Sequence, residues 1–312
     1  MANYSPGELA NFNYVAESPY GTTPTGTALT WGCTIQSLKP KVNSHQVFHL
    51  GSTSRSYSDV TKGAWDVGFK LKGWARATSG GYDWRNFFAT YGLGSTTALT
   101  EHLGSFTGQA EFIIGAGKVY WHFNGCKIDK LTINCEGAGQ IVDFEADVIA
   151  RWVTESTSKT QTGLQNGIVV GADADEITTA MLTWASNSKI NIAAGGLAYW
   201  YPNNWKIEID NHLTAHMGLV YGIDTNYYPC AASIYEGVRD ILFTCERDLE
   251  NETYNTAKLT GQAVTAITIP MDDDTITLSD GVFLLEDDDL PEFKRDIMTQ
   301  PLRAKFKSIS IA

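Results

Sequence analysis

Val142, Phe144, Ala146, Val148, Ala150 and Trp152 occupy every second position of one short stretch. That period belongs to a β-strand with one buried face, because a helix would spread the same six side chains around its circumference. The opposite face opens with three acids, Asp143, Glu145 and Asp147. The same alternation occurs in Val67/Phe69/Leu71, in Leu131/Ile133/Cys135, and in Trp205/Ile207/Ile209 opposite Lys206/Glu208/Asp210. Ile267-Thr268-Ile269 and Thr275-Ile276-Thr277-Leu278 add short β-branched runs. Near the C-terminus Leu302, Ala304 and Phe306 alternate with Arg303, Lys305 and Lys307, after which the apolar phase slips to Ile309 and Ile311, as at a bulge. These are half-buried antiparallel strands, and with 29 glycines and few helix candidates they predict a mainly β, β-rich α+β fold.

At 312 residues and 43% hydrophobic the chain has material for a large core. Its net charge of −12 excludes a protein that holds nucleic acid by neutralising phosphates. The charge is uneven: residues 1–156 carry 12 basic and 13 acidic residues, and 157–312 carry 11 and 22. Between the halves lies the polar, core-poor stretch Ser156–Gly163, of linker composition. Lys62–Phe69 and Glu236–Phe243 share the pattern charged-Gly-x-x-Asp-(Val/Ile)-x-Phe, and each precedes a helix candidate, Asp83–Tyr91 and Asp248–Asn255. We therefore expect a duplication: an N-terminal arm over 1–28 that is disordered in the monomer, a first β domain over 29–156, a linker over 157–165 and a second β domain over 166–312.

A search for reactive groups nominates no nucleophile, base, cofactor site or metal site. His45/His49 and His212/His216 have i,i+4 spacing, but without H-E-x-x-H; in a strand such residues stand about 13 Å apart, too far to share a metal. Asp272–Asp274 and Glu286–Asp289 lack the alternating ligands and central Gly of an EF-hand and read as solvated turns beside strands. Cys33, Cys126, Cys135, Cys230 and Cys245 are odd in number and widely spaced, which suits buried thiols of a reducing cytoplasm. Walker, Rossmann and G-x-S-x-G motifs are absent from the sequence. Met1–Glu8 has no signal-peptide pattern, and no apolar run approaches a membrane span. The nine tryptophans suit core and interface positions.

The feature order in the second half is Trp205–Asn211, Gly237–Phe243, a helix, then Leu290–Asp296 before the last strand. The first half offers Ile35–Asn43, Gly63–Phe69, the helix near Trp84, and Leu131–Asn134 running into Gly139 and the 142–152 strand. This order resembles the tail tube proteins of tailed phages and related archaeal viruses over nearly the whole chain. The resemblance implies two tandem tail-tube-like β-sandwich or β-barrel domains, each with a short flanking helix. It implies a non-enzymatic virion protein, assembled in the host cytoplasm, whose stacked rings form a channel for double-stranded DNA on its way into the host. The implied partners are further copies of the chain, as a trimeric pseudo-hexamer or a hexamer, and the tape measure, tail terminator and baseplate or tail-tip proteins; DNA passes transiently, and no membrane is involved. A bore that lets DNA slide is acidic or neutral, which makes Asp143, Glu145 and Asp147 the candidate lumen-facing row. Alternatives left open are a glycan-binding β-sandwich module with several exposed Trp or Tyr and calcium at Asp287–Asp289, a carboxylate-pair β-sandwich hydrolase, and a capsid or baseplate protein.

Overall fold

In the computed structural model, residues 11–18, 20–21, 29–31, 33–38, 41–47, 59–75, 84–94, 102–114, 117–157, 182–184, 190–194, 197–200, 202–221, 227–248, 260–271, 274–284, 292–294 and 297–312 are described. The first half contains β1 (Asn11–Ala16), β2 (Leu29–Trp31), β3 (Cys33–Leu38), β4 (Lys41–Val47), β5 (Asp59–Trp74), α1 (Trp84–Tyr91), β6 (Phe106–Ile114), β7 (Gly117–Cys135), β8 (Asp143–Ala150) and β9 (Trp152–Ser156). The second contains β10 (Ile190–Ala194), β11 (Leu197–Trp200), β12 (Asn204–Asp210), β13 (Thr214–Tyr221), β14 (Tyr227–Tyr235), β15 (Asp240–Asp248), β16 (Ala263–Pro270), β17 (Thr275–Leu284), β18 (Glu292–Lys294) and β19 (Ile297–Ile311). Every strand pair is antiparallel, and seventeen strands connect through shared pairings; β13 and β14 form their own hairpin sheet.

The pairing scheme recurs. In the first half the strands run side by side as β3-β5-β8-β7. In the second they run β12-β15-β19-β17. The flanking pairs match as well: β1–β2 and β10–β11, β1–β6 and β10–β16, β6–β7 and β16–β17, β4–β5 and β13–β14. Among the described strands β7 pairs with β12 across the halves, with Cys135 opposite Trp205, Ile133 opposite Ile207 and Lys130 opposite Asp210, and an isolated bridge sets Ile141 opposite Thr183. The result is one row, β3-β5-β8-β7-β12-β15-β19, that crosses the chain midpoint without a break in its hydrogen bonding.

Alternation decides which face of this row is dry. Val142, Phe144, Ala146, Val148 and Ala150 are 0–2% exposed and Trp152 is 8%. Leu131 and Ile133, Ile207 and Ile209, Ile241 and Phe243, and Leu302 and Ala304 continue the same layer across the seam into one core shared by both halves. α1 covers part of it: Trp84, Phe87, Phe88 and Tyr91 fall at i, i+3, i+4 and i+7, the stripe of an amphipathic helix, and all four are buried. The helix stops where Gly92 and Leu93 N–H both turn back to the Phe88 carbonyl. The expected phase slip near the C-terminus lies in β19, where Phe306 and Ile309 are both buried.

The halves are also clasped by side chains. Asn211 Nδ2 donates to the carbonyls of Gly92 and Ile128, each at 2.9 Å. Lys127 Nζ lies 2.5 Å from Glu236 Oε1, both side chains mostly buried. From α1, Trp84 Nε1 donates to Asp274 Oδ2 at 2.8 Å and Arg85 Nη1 to Asp274 Oδ1 at 3.0 Å.

Two expectations need correcting. The stretch read as an arm over 1–28 contains β1, which pairs with β6 and β2 of the same chain. Phe12 and Tyr14 alternate inward there, Tyr14 meeting the Phe87 ring edge-on at 4.7 Å, and that apolar burial outweighs the polar, proline-rich composition around it. In the acidic run Asp272–Asp274, Asp274 is 4% exposed and holds α1, so it is not part of a solvated turn. The remaining residues of the second helix candidate after Asp248, the linker from 158 to 165 and the cluster Glu286–Asp289 lie outside the described residues.

Candidate functional site on the polar face of the joined sheet

The face opposite the core collects the chain's charge into rows, because residues directly opposite in neighbouring strands point the same way. One row reads Lys70, Asp147, Lys130, Asp210, Asp240. The next reads Lys72, Glu145, Thr132, Glu208, Leu242, Lys305. The third reads Trp74, Asp143, Asn134, Lys206, Thr244, Arg303. Asp143, Glu145 and Asp147 therefore do share one face of β8, each half-buried, and the structure brings them together with lysines of β5 and β7. These three rows hold six basic and six acidic side chains, so they are neutral while the whole chain carries −12.

The neutrality is built from contacts. Lys70 bonds Glu145 and stands 3.3 Å from Asp147 Oδ1. Lys130 Nζ reaches across the seam to Asp210 Oδ2 at 2.8 Å, and Lys206 meets Glu208 Oε1 at 2.6 Å along β12. Lys305 Nζ lies 2.5 Å from Asp240 Oδ1, and His212 Nε2 lies 3.1 Å from Asp240 Oδ2. A trough of about 950 Å³ runs over the seam, lined by Lys72, Asn134, Glu145, Lys206, Glu208 and Arg303 among others.

The titration of these groups follows from their settings. The hydrogen bond that Lys70 donates to Glu145 raises the Lys70 pKa, and the one that Lys130 donates to Asp210 raises Lys130. Burial pushes Asp143 up, with Lys72 opposing it. At Asp210 burial also raises the pKa, but the Lys130 and His212 N–H bonds outweigh it and the carboxyl sits below its usual range. Asp240 is lowered by Lys305 first and His212 second. A lowered carboxylate contributes stability above its unfolded pKa and loses it as pH falls through the folded value. Lys305→Met should therefore move the Asp240 carboxyl-carbon titration upward toward the ordinary aspartate value of about 3.9; an unchanged midpoint would show that the pair does not form in solution. Both side chains are well exposed, so the accompanying change in stability is small.

Elsewhere the chemistry is thin. Asp210, His212 and Asp240 meet at the rim, but among the described residues no group of three or more His, Cys, Asp or Glu has the arrangement of a metal site. His212 has φ 47° after β12, and His216 lies on β13 beside the Tyr235 ring, so this pair is not on a helix. Cys126, Cys135, Cys230 and Cys245 are buried thiols outside any disulfide, and burial raises the pKa of Cys126, Cys135 and Cys230, which suits inert core positions. Of the described aromatic side chains, Trp74 on β5 and Tyr235 on β14 are the markedly exposed ones. Trp84, Trp152, Trp184 and Trp205 are buried core side chains.

Sequence reasoning found the acids of this face and missed the lysines that balance them. The signal was present: Lys70 and Lys72 alternate with Phe69 and Leu71, so the strand that presents its apolar side to the core presents both cations to the other. A family model described as phage tail tube protein matches residues 7–306. A comparison with curated proteins found no match.

Proposed function

We propose, from the premise that this chain belongs to the phage tail tube protein family, that its two halves lie side by side in one ring of the tube and that the neutral polar face lines the bore. The protein is a structural component of the virion tail and not an enzyme. What carries the ring reading is the β7–β12 pairing, in which two sheets of the same strand order meet edge to edge. Edge pairing advances around a circumference; halves stacked along an axis would meet strand end to strand end. Two equivalent units per chain then make three chains a closed ring of six, a pseudo-hexameric trimer built from a duplicated domain.

The dimensions support the bore. Four strands per half and six halves give a barrel of about 24 strands, which at about 4.8 Å spacing and a tilt near 40° is about 48 Å across between backbones. Barrels of more than about sixteen strands leave an aqueous channel. Duplex DNA needs such a channel to be wet and free of unpaired cations, since each phosphate contact releases counterions and adds affinity. Lysines held by Glu145, Asp147 and Asp210 offer it little.

Negative-stain electron microscopy with mass measurement on the same purified sample tests this reading. Rings or stacked tubes with a central hole and a mass of three chains per ring are expected. Rings of six chains would place one half of each chain outside the ring wall, contrary to the proposal.

A further inference from the structure

Two elements far apart in sequence converge on the same pair of cations, Lys127 of β7 and Arg151 at the β8–β9 junction. The first is the turn after β1. Glu17 Oε1 accepts from Thr107 Oγ1 at 2.6 Å and from the Gly125 N–H at 2.8 Å, and its Oε2 accepts from the Gly21 N–H at 2.7 Å. This sets the Tyr20 ring 5.9 Å from Lys127 Nζ and 5.8 Å from the Arg151 guanidinium, which also donates to the Gly21 carbonyl. Gly21 and Gly125 have φ of 68° and 63°, and a Cβ on either would run into the Arg151 side chain, so the turn lies directly against it. The second element is the β13–β14 hairpin. Glu236, just past β14, holds Lys127 Nζ through Oε1 at 2.5 Å and the Leu103 N–H through Oε2 at 3.1 Å. Cys230 of β14 is bonded by Arg151, which opposes the rise that burial gives its thiol pKa. It packs with Trp152 and Val220 in a small apolar cluster separate from the shared core.

We propose that the turn after β1 and the β13–β14 hairpin are coupled latches, each docked more firmly when the other is docked, through the cations they share. The sign follows from solvation. With the turn in place, Tyr20 and the Gly21 carbonyl shield Lys127 and Arg151 and restrict their rotamers; the Lys127 and Glu236 side chains are then only 12% and 16% exposed. Their pair forms in a lower dielectric and without fresh ordering of the lysine. With the turn released, the same pair becomes an exposed one of little worth. The hairpin can answer as a unit, because its docking cluster is not part of the main core and its outer side turns Leu219 and Tyr235 to solvent. Coupling of this kind is reciprocal, so pinning the hairpin tightens the turn by the factor with which the docked turn tightens the hairpin. Neither latch belongs to the three charged rows, so the coupling stands whether or not the ring reading does.

Native-state amide exchange on the full chain is the test, with peptides covering 11–21 and 227–236 as the two reporters and 204–210 of the joined sheet as the internal control. Tyr20→Leu removes the ring that faces both cations and alters nothing in the hairpin, yet exchange in 227–236 should speed by roughly three- to ten-fold, the difference between a shielded and an exposed ion pair. Glu236→Gln removes the hairpin's hold on Lys127 and should speed 11–21 by a similar factor. Gly21→Ala reaches the turn by another route, with Tyr20 intact, because its left-handed backbone and the Arg151 side chain both resist a Cβ; it should again speed 227–236. In each variant 204–210 should keep its protection. Changes confined to the mutated element, for Gly21→Ala and Glu236→Gln alike, overturn the coupling. Loss of protection that extends to 204–210 in all three variants overturns it as well, since the two elements would then open only with the whole sheet.

Discussion

Asp274→Ala should lower the unfolding free energy by about 3 kcal/mol, because it leaves a buried indole N–H without this acceptor and removes a carboxylate from beside a half-buried guanidinium. Asp274 is 4% exposed, and its two oxygens are divided between Trp84 and Arg85 on α1. Trp84 is fully buried, so its Nε1 cannot turn to water when the acceptor goes. The Arg85 side chain retains 29% exposure and recovers part of its hydration, which keeps the loss toward the lower end of what breaking a buried pair costs. Asp274→Asn retains an acceptor for the indole but not the charge, and should cost about half as much. Urea denaturation is the measurement: the midpoint should fall with an unchanged slope, as befits a change in stability without a change in exposed surface. An unaltered midpoint for Asp274→Ala would mean that α1 is held by its apolar stripe alone. Because the helix belongs to the first half and Asp274 to the second, the same variant reports on how firmly the halves are clasped.

The sequence made the strands legible and left their neighbours hidden, for a physical reason. Period two is a local property, so the apolar faces of β8, β12 and β19 could be read residue by residue, and each is buried as expected. Pairing is set by which faces meet in three dimensions; nothing in Leu131-Thr132-Ile133 announces that its outer edge belongs to Trp205–Asp210 in the other half. The same gap explains Asp274, where three consecutive acids look solvated until a tryptophan nearly two hundred residues away supplies the partner. β1 was obscured by its flanks, since the prolines and polar residues around it outnumber Phe12 and Tyr14, whose burial against the α1 aromatics decides the outcome. The acids of the polar face were found because they fall on one strand. Their neutralisation was not, because Lys70 and Lys130 come from two other strands, and charge balance on a sheet is a property of rows.

Tubes built from the Glu145→Lys, Asp147→Lys variant should capture duplex DNA that wild-type tubes let pass. Each substitution replaces −1 by +1, so the pair changes the face by four charges per chain and also releases Lys70 from both its partners. Every cation that then neutralises a phosphate steepens the fall of log affinity with log salt by about 0.9, so even two or three new contacts per chain, repeated around a ring and along a stack, convert a sliding surface into a retaining one. At low salt, short duplex fragments should co-sediment with the variant tubes and resist nuclease, and raising the salt several-fold should release them. Glu145→Gln with Asp147→Asn removes the acids without adding cations and should fall between the two, which separates the effect of charge from that of disturbed packing. Fragments that bind but are cut freely would put this face on the outside of the tube, and intact variant tubes that retain nothing would show that DNA does not reach it. The lysines of a neutral face are in this sense poised: they hold the sheet together across its strands by being occupied, and the same occupation keeps them from the phosphates that the bore has to release.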